Sequence, residues 1–183
     1  GEVVRRLMFE GLALEEKAAR PEGEALALAS KELARAARAK GWRSFVSGDD
    51  LDRFLMRVRF ANKHCPDAGL PEIGEPQIEA LLDGLCEGRR SFAELRGADF
   101  VSAIRNLVPP AGARRLAEIA PDAVVLPGGR KAKVTYSEGA APFLESRLQD
   151  FFGMRQGPSA AMGRVPIVLH LLAPNYRAVQ VTT

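Results

Sequence analysis

No run of about 18 apolar residues occurs, so no segment has the length and hydrophobicity of a membrane-spanning helix. The longest apolar stretch toward the C-terminus, Val165 to Ala173, is broken by Pro166 and His170 and suits a buried strand. Cysteine and histidine are scarce: Cys65, Cys86, His64 and His170 are all there are. Two thiols make no disulfide framework and fit a reduced, cytoplasmic protein. His64 and Cys65 are adjacent, where two side chains rarely face one metal, and neither C-x-x-C nor H-E-x-x-H occurs, so no metal site is expected. An initiator Met and a signal-like leader are also missing, and the chain stops at Thr182-Thr183 inside a strand-like alternation. The expectation is a piece of a longer protein, cut at both ends.

Catalytic signatures are equally sparse. There is no G-x-x-x-x-G-K-[ST] loop to cradle a nucleotide and no DEAH-like run to hold its Mg²⁺. Gly128-Gly129-Arg130-Lys131 imitates the former only in composition; its spacing is that of a hairpin turn. Gly157-Pro158-Ser159-Ala160-Ala161 lacks the second glycine of a nucleophile elbow. Glu138, Glu145 and Asp150 form no acid–base pair, and His170, flanked by Leu169 and Leu171, reads as a half-buried strand residue.

What is there is an ordinary globular balance, 46% hydrophobic and 27% charged, which argues against global disorder. The net charge of +3 sits entirely beyond residue 120, where seven Lys/Arg face four Asp/Glu. Short strands are expected at Val3-Val4 and Leu12-Ala13-Leu14. Pro21 opens a helix over 22–40, with Leu26, Ser30, Leu33 and Ala37 on one face and Gly41 as its stop. Ser47 caps a second helix with the stripe Leu51, Phe54, Leu55 and Val58; Arg53, Arg57, Arg59 and Lys63 ride its other faces. Further helices are expected over Glu75–Cys86, Asp99–Leu107 and Ala111–Ala120.

Past Pro121 the period changes. Val124-Val125-Leu126 and Lys131 to Tyr136 read as a hairpin about Gly128 and Gly129, both expected at positive φ. Ala132, Val134 and Tyr136 share one face, Lys131, Lys133 and Thr135 the other. Residues 142–153 read as a helix packing Phe143, Leu144, Leu148, Phe151 and Phe152 inward. Residues 157–163 read as a loop, and 165–172 and 178–182 as strands about Pro174-Asn175. The expected class is α+β: a helical bundle, then a small antiparallel β-rich part with one packed helix. Its divisions are 1–20 (short strands leading in), 21–120 (helical) and 121–183 (β-rich).

Basic residues are the candidates for binding. Arg130, Lys131 and Lys133 flank the hairpin, and Arg147, Arg155, Arg164 and Arg177 follow. On a β-surface such residues hold a nucleic-acid backbone, with Tyr136 or Tyr176 available to stack bases. The bland alternative is a solvated strand face with packing tyrosines.

A spaced series then carries a resemblance. It runs Leu126-Pro127-Gly128-Gly129-Arg130, Val134-Thr135-Tyr136 and Arg147-Leu148-Gln149-Asp150-Phe151-Phe152-Gly153. Gly163-Arg164-Val165-Pro166, Leu169-His170-Leu171-Leu172-Ala173-Pro174 and Val179-Gln180-Val181-Thr182 complete it. This resembles the C-terminal domain of HrpB-type bacterial ATP-dependent RNA helicases, relatives of the DEAH-box enzymes. The likeness is strong from residue 113 onward and looser over the first 50. Asp150 stands where the family has Glu, Ala173 where it has Ser, Ala178 where it has Pro, and Gly128 where it has Ser. The resemblance implies a parent enzyme whose motor domains hold ATP and Mg²⁺, with no cofactor in this fragment and a tail beyond Thr183. The fragment itself is expected to be non-catalytic, to contact single-stranded RNA or brace the motor domains, and to have no membrane partner. The alternative is a structural or protein-interaction module without RNA binding.

Overall fold

The computed structural model describes residues 22–46 and 48–172 in full and, beyond them, the strand paths at 3–9, 12–19 and 178–182. The elements begin with β1 (Val3–Phe9), β2 (Leu12–Ala19), α1 (Gly23–Lys40) and α2 (Asp50–His64). They continue with α3 (Glu75–Cys86), α4 (Phe92–Arg96), α5 (Phe100–Arg105) and α6 (Pro110–Ile119). The last are β3 (Ala123–Val125), β4 (Lys131–Thr135), β5 (Phe143–Arg147), β6 (Ser159–Ala160), β7 (Val165–Pro166), β8 (Val168–Leu172) and β9 (Ala178–Thr182). The class is α+β, as the sequence led us to expect.

The chain forms two compact units, Gly1–Ser47 with Gly74–Arg105, and Gly48–Ile73 with Asn106–Thr183. In the first, β1 and β2 pair antiparallel from Val3 opposite Ala19 to Phe9 opposite Leu12. They are a sheet of their own. Helix α1 buries Ser30, Leu33 and Ala37, the stripe its spacing announces. Ser30 donates its hydroxyl to the Arg89 carbonyl at 2.9 Å, which satisfies a polar group on an apolar face. Helix α3 matches its expected bounds and buries Ile78, Leu82 and Cys86. The helix expected over 99–107 is the shorter α5, and α4 precedes it as a separate element. Ser91 caps α4 by accepting from the Glu94 backbone N–H at 3.3 Å. Asp99 opens α5 by accepting from the Ser102 N–H at 3.0 Å. Each of these side chains satisfies a backbone N–H at the start of its own helix, so two short helices begin where one was expected.

In the second unit α2 buries Leu51, Leu55 and Val58, and also Phe60 and Ala61. Ser47, its expected cap, lies outside the described residues. A five-stranded sheet runs β3-β4-β5-β8-β9. Its β3–β4 turn has the Leu126 carbonyl accepting from the Gly129 N–H at 2.8 Å. Gly129 alone takes positive φ, at 79°; Gly128 does not, because a three-residue hairpin loop needs one left-handed residue at its end, not two.

The helix expected over 142–153 is instead β5 followed by a single 3-10 turn, Leu148–Phe151. Apolar residues at 143, 144, 148, 151 and 152 suit a helical face, yet the local pattern is overruled. Strand β8 offers a five-residue parallel ladder, Phe143 opposite Val168 through Arg147 opposite Leu172. That ladder supplies the β5 backbone with hydrogen-bond partners that a helix would have to find within itself. Of the five side chains expected inside, Leu144 and Phe151 are buried and Phe143 is half-buried, while Leu148 is 55% and Phe152 67% exposed. The same ladder makes the sheet mixed rather than antiparallel. The loop expected over 157–163 contains β6, which pairs with β7 in a small hairpin.

Candidate nucleic-acid interface

Strand β4 sets up the site. Its side chains alternate, with Ala132 and Val134 buried and Lys131 and Lys133 exposed. The register carries that outward face across the sheet. Val125 lies opposite Lys131 and Ala123 opposite Lys133 on β3; Thr135 lies opposite Phe143 on β5. Glu145 lies opposite His170, and Arg147 opposite Leu172. With a side-chain period of two, these residues share the face turned away from Ala132, Val134, Leu144, Ser146 and Leu169. The cations Lys131, Lys133 and Arg147 on it face one carboxylate, Glu145.

Near its centre the rings of Phe143 and His170 stack, centroids 4.4 Å apart and planes 17° from parallel. The His170 Nδ1 lies 3.5 Å from Glu145 Oε1, with side chains 23% and 52% exposed. Sequence reasoning missed this pair as a unit. Phe143 was expected inside a helix, and His170 as a half-buried strand residue, which it is. Only the parallel β5–β8 ladder unites them, and no local sequence signal announces that pairing.

At one end of the face Asp150 ties the strand ends together. Its Oδ2 accepts from the Ser146 hydroxyl at 2.6 Å and from the Arg147 N–H at 3.2 Å. The Arg130 guanidinium reaches it at 3.5 Å. The Ser146 hydrogen bond, first, and the Arg147 N–H and nearby guanidinia hold the Asp150 carboxyl below its usual range. Thus the turn after β5, which positions Arg147, is fixed to the start of β4, which positions Lys131.

The expected site residues divide accordingly. Lys131 and Lys133 stand side by side on the outward face, Arg130 at its edge, and Arg147 half-buried at the end of β5. Arg164 belongs to the β6–β7 turn and donates to the His64 carbonyl at 3.3 Å, away from this face. Arg155 is exposed in the loop after Gly153. Arg177 and Tyr176 lie outside the described residues.

Tyr136 requires correction: it is not a surface platform. Its side chain is buried at 7% exposure, its ring packs on Phe60 with centroids 4.8 Å apart, and its hydroxyl donates to the Pro121 carbonyl at 2.9 Å. Burial pushes its phenol well above the usual range. The alternation that turns Lys131 and Lys133 outward turns Tyr136 inward. There it joins a set of contacts closing the end of α6. The Ile119 carbonyl accepts from the Ala161 N–H at 2.7 Å, and the Ala120 carbonyl from Arg57 Nε at 2.8 Å. Three consecutive carbonyls at a helix C-terminus, otherwise orphaned, are each taken by a different element. Arg57, expected on an outer helix face, is therefore a capping group, 15% exposed and 3.6 Å from Asp122.

A cavity of about 790 Å³ lies along α1 and α3 in the first unit. The charges at its mouth pair locally, Arg38 with Asp83 and Arg35 with Glu32. Among the described residues no helix is long and apolar enough to cross a membrane, and no three His, Cys, Asp or Glu side chains gather as a metal site would require.

Comparison with known proteins gives a concordant result. Residues 81–183 match the family model described as "ATP-dependent helicase C-terminal", HrpB_C. The chain is 30% identical over 137 residues to the ATP-dependent RNA helicase HrpB of Escherichia coli K12, an alignment covering 73% of this chain and 17% of that protein. A crystal structure of the E. coli DExH-box NTPase HrpB superposes with a TM-score of 0.77 at 28% identity, covering 98% of this chain and 22% of the other. A second, of the E. coli DEAH/RHA helicase HrpB, gives 0.72 at 27% identity, covering 97% and 23%. The chain thus spans under a quarter of the length of these relatives.

Proposed function

This chain belongs to the HrpB-type family of ATP-dependent helicase C-terminal regions, and we propose that it is a non-catalytic accessory part of such an enzyme whose basic sheet face contacts single-stranded RNA. On this reading ATP and Mg²⁺ belong to motor domains elsewhere in the whole protein, which works in the cytoplasm and keeps this region against those domains. The observation that carries the reading is the outward face of β4 and β5: Lys131 and Lys133 exposed together, with Arg147 beyond, against Glu145 alone. Lysines at alternate positions of one strand stand about 7 Å apart, a spacing suited to successive phosphates of an extended strand. The E. coli relative is an RNA helicase by name, which makes RNA the first polyanion to test.

Fluorescence anisotropy with a labelled single strand of ~12 nucleotides, a length of the order such grooves cover, tests the proposal. The double variant Lys131→Glu/Lys133→Glu weakens binding by roughly tenfold or more at low salt, since two phosphate contacts become repulsions, and leaves the unfolding midpoint little changed. Equal affinity in the double variant excludes this face. The second reading, a protein-docking module, is favoured by exposed Val125, Leu148 and Phe152. It requires that RNA fail to bind at low salt while isolated motor domains do bind.

A further inference from the structure

We infer that the Phe143–His170 pair is a seat on which one unpaired base of the bound strand stacks; this rests on the RNA reading above. Both rings rise from the outward face of the sheet, on neighbouring parallel strands, and they are already nearly parallel at 17° and 4.4 Å. Two parallel rings are the beginning of a stack, and a nucleobase is the planar group that extends it. His170 keeps 23% of its side chain exposed, and Phe143 is half-buried, so the pair is anchored at its base yet reachable. The surroundings fit a strand rather than a free nucleotide. Lys133 stands on the adjacent strand β4, and Lys131 two residues before it, so cations for the flanking phosphates lie to one side of the rings.

Alternative tenants of this face fit less well. An apolar peptide would cover Lys131 and Lys133, which are exposed on this face, and offer nothing to offset the desolvation of their ammonium groups. A bare polyanion would use the lysines and leave the two rings without a role. Only a strand carrying both phosphates and planar bases engages both kinds of group at once.

The test compares a 12-nucleotide oligoadenylate with an abasic ribose-phosphate strand of equal length, by anisotropy, for the unmodified chain and for Phe143→Leu, whose leucine keeps most of the volume beside Val168. Expected is roughly tenfold weaker binding of oligoadenylate to Phe143→Leu, the order of one lost base–aromatic stack. Binding of the abasic strand, and the salt slope, stay as they were. Unchanged affinity in Phe143→Leu, with Lys131→Glu/Lys133→Glu still weak, overturns the seat and leaves the RNA reading standing. No binding by the unmodified chain at low salt overturns both. Should Phe143→Leu fold poorly, photocrosslinking of the unmodified chain to a base-labelled strand decides. Adducts on the peptides holding Phe143 or His170 support the seat, and adducts confined to other peptides overturn it.

Discussion

Replacing Tyr136 by Phe isolates one hydrogen bond in the α6 closure. The ring, its burial and its contact with Phe60 at 4.8 Å remain; only the hydroxyl that donates to the Pro121 carbonyl at 2.9 Å is lost. Such a bond contributes about 0.5–1.5 kcal/mol net, and leaving its buried partner unsatisfied costs about 1–3 kcal/mol. Pro121 is half-buried, so water reaches the freed carbonyl in part, which places the expected loss near 1–1.5 kcal/mol. The neighbouring closures by Ala161 and Arg57 hold the helix end in place and keep the effect local. Urea denaturation followed on the second unit reads this as a midpoint lower by about 0.5–0.7 M for a slope near 2 kcal/mol/M, with the slope itself unchanged. In heat the shift is about 2–6 °C. RNA affinity stays unchanged, because the ring never reached the surface. An unaltered midpoint would show that the hydroxyl bond is idle. A loss above about 3 kcal/mol, the range of truncated core aromatics, would show that the ring had moved, and a drop in RNA binding without loss of fold would return Tyr136 to the surface.

Two other perturbations follow from the geometry. Asp150 has a depressed carboxyl in the folded state, so its contribution is complete above the ordinary carboxyl pKa of about 4 and disappears as pH falls through the lower folded value. Asp150→Asn, which keeps an acceptor for Ser146 but cannot titrate, flattens the fall of the urea midpoint between pH 5 and 2, roughly the window of such a carboxyl; a parallel fall in both proteins refutes the assignment. Met162 sits at φ 58° in the β6–β7 turn with its side chain 66% exposed. Met162→Gly therefore stabilises the chain by about 0.5–1 kcal/mol, since glycine adopts that conformation without penalty and little burial is lost; a destabilised variant in thermal melts counts against it.

Helices with local punctuation were legible in the sequence. Gly41 stops α1, and the Ile78, Leu82 and Cys86 spacing marks α3. The hairpin about Pro127-Gly128-Gly129 was legible for the same reason: turn chemistry is written in adjacent residues. Misreading began where pairing is non-local. Residues 142–153 carry a helical spacing of apolar groups, and only a parallel partner more than twenty residues later makes Phe143–Arg147 a strand. A helix over 142–153 would bury Leu148 and Phe152 and separate Phe143 from His170; the ladder exposes the first two and brings the last two together. The lysines of the site followed from alternation alone. The same alternation places Tyr136 with Ala132 and Val134, on the buried side and not on the outward face. Arg57 could not be read, because its partners at the end of α6 lie some sixty residues away.

The salt dependence of binding tests the central claim most directly. The unmodified chain is titrated with a labelled 12-nucleotide single-stranded RNA over a series of salt concentrations, beside Lys131→Ala/Lys133→Ala. If the sheet face holds the phosphates, log affinity falls linearly with log salt, and the double variant is weaker with a slope shallower by about 1.4, as two lost contacts on a single strand require. Absence of binding at the lowest salt, or an identical slope in the double variant, contradicts the account.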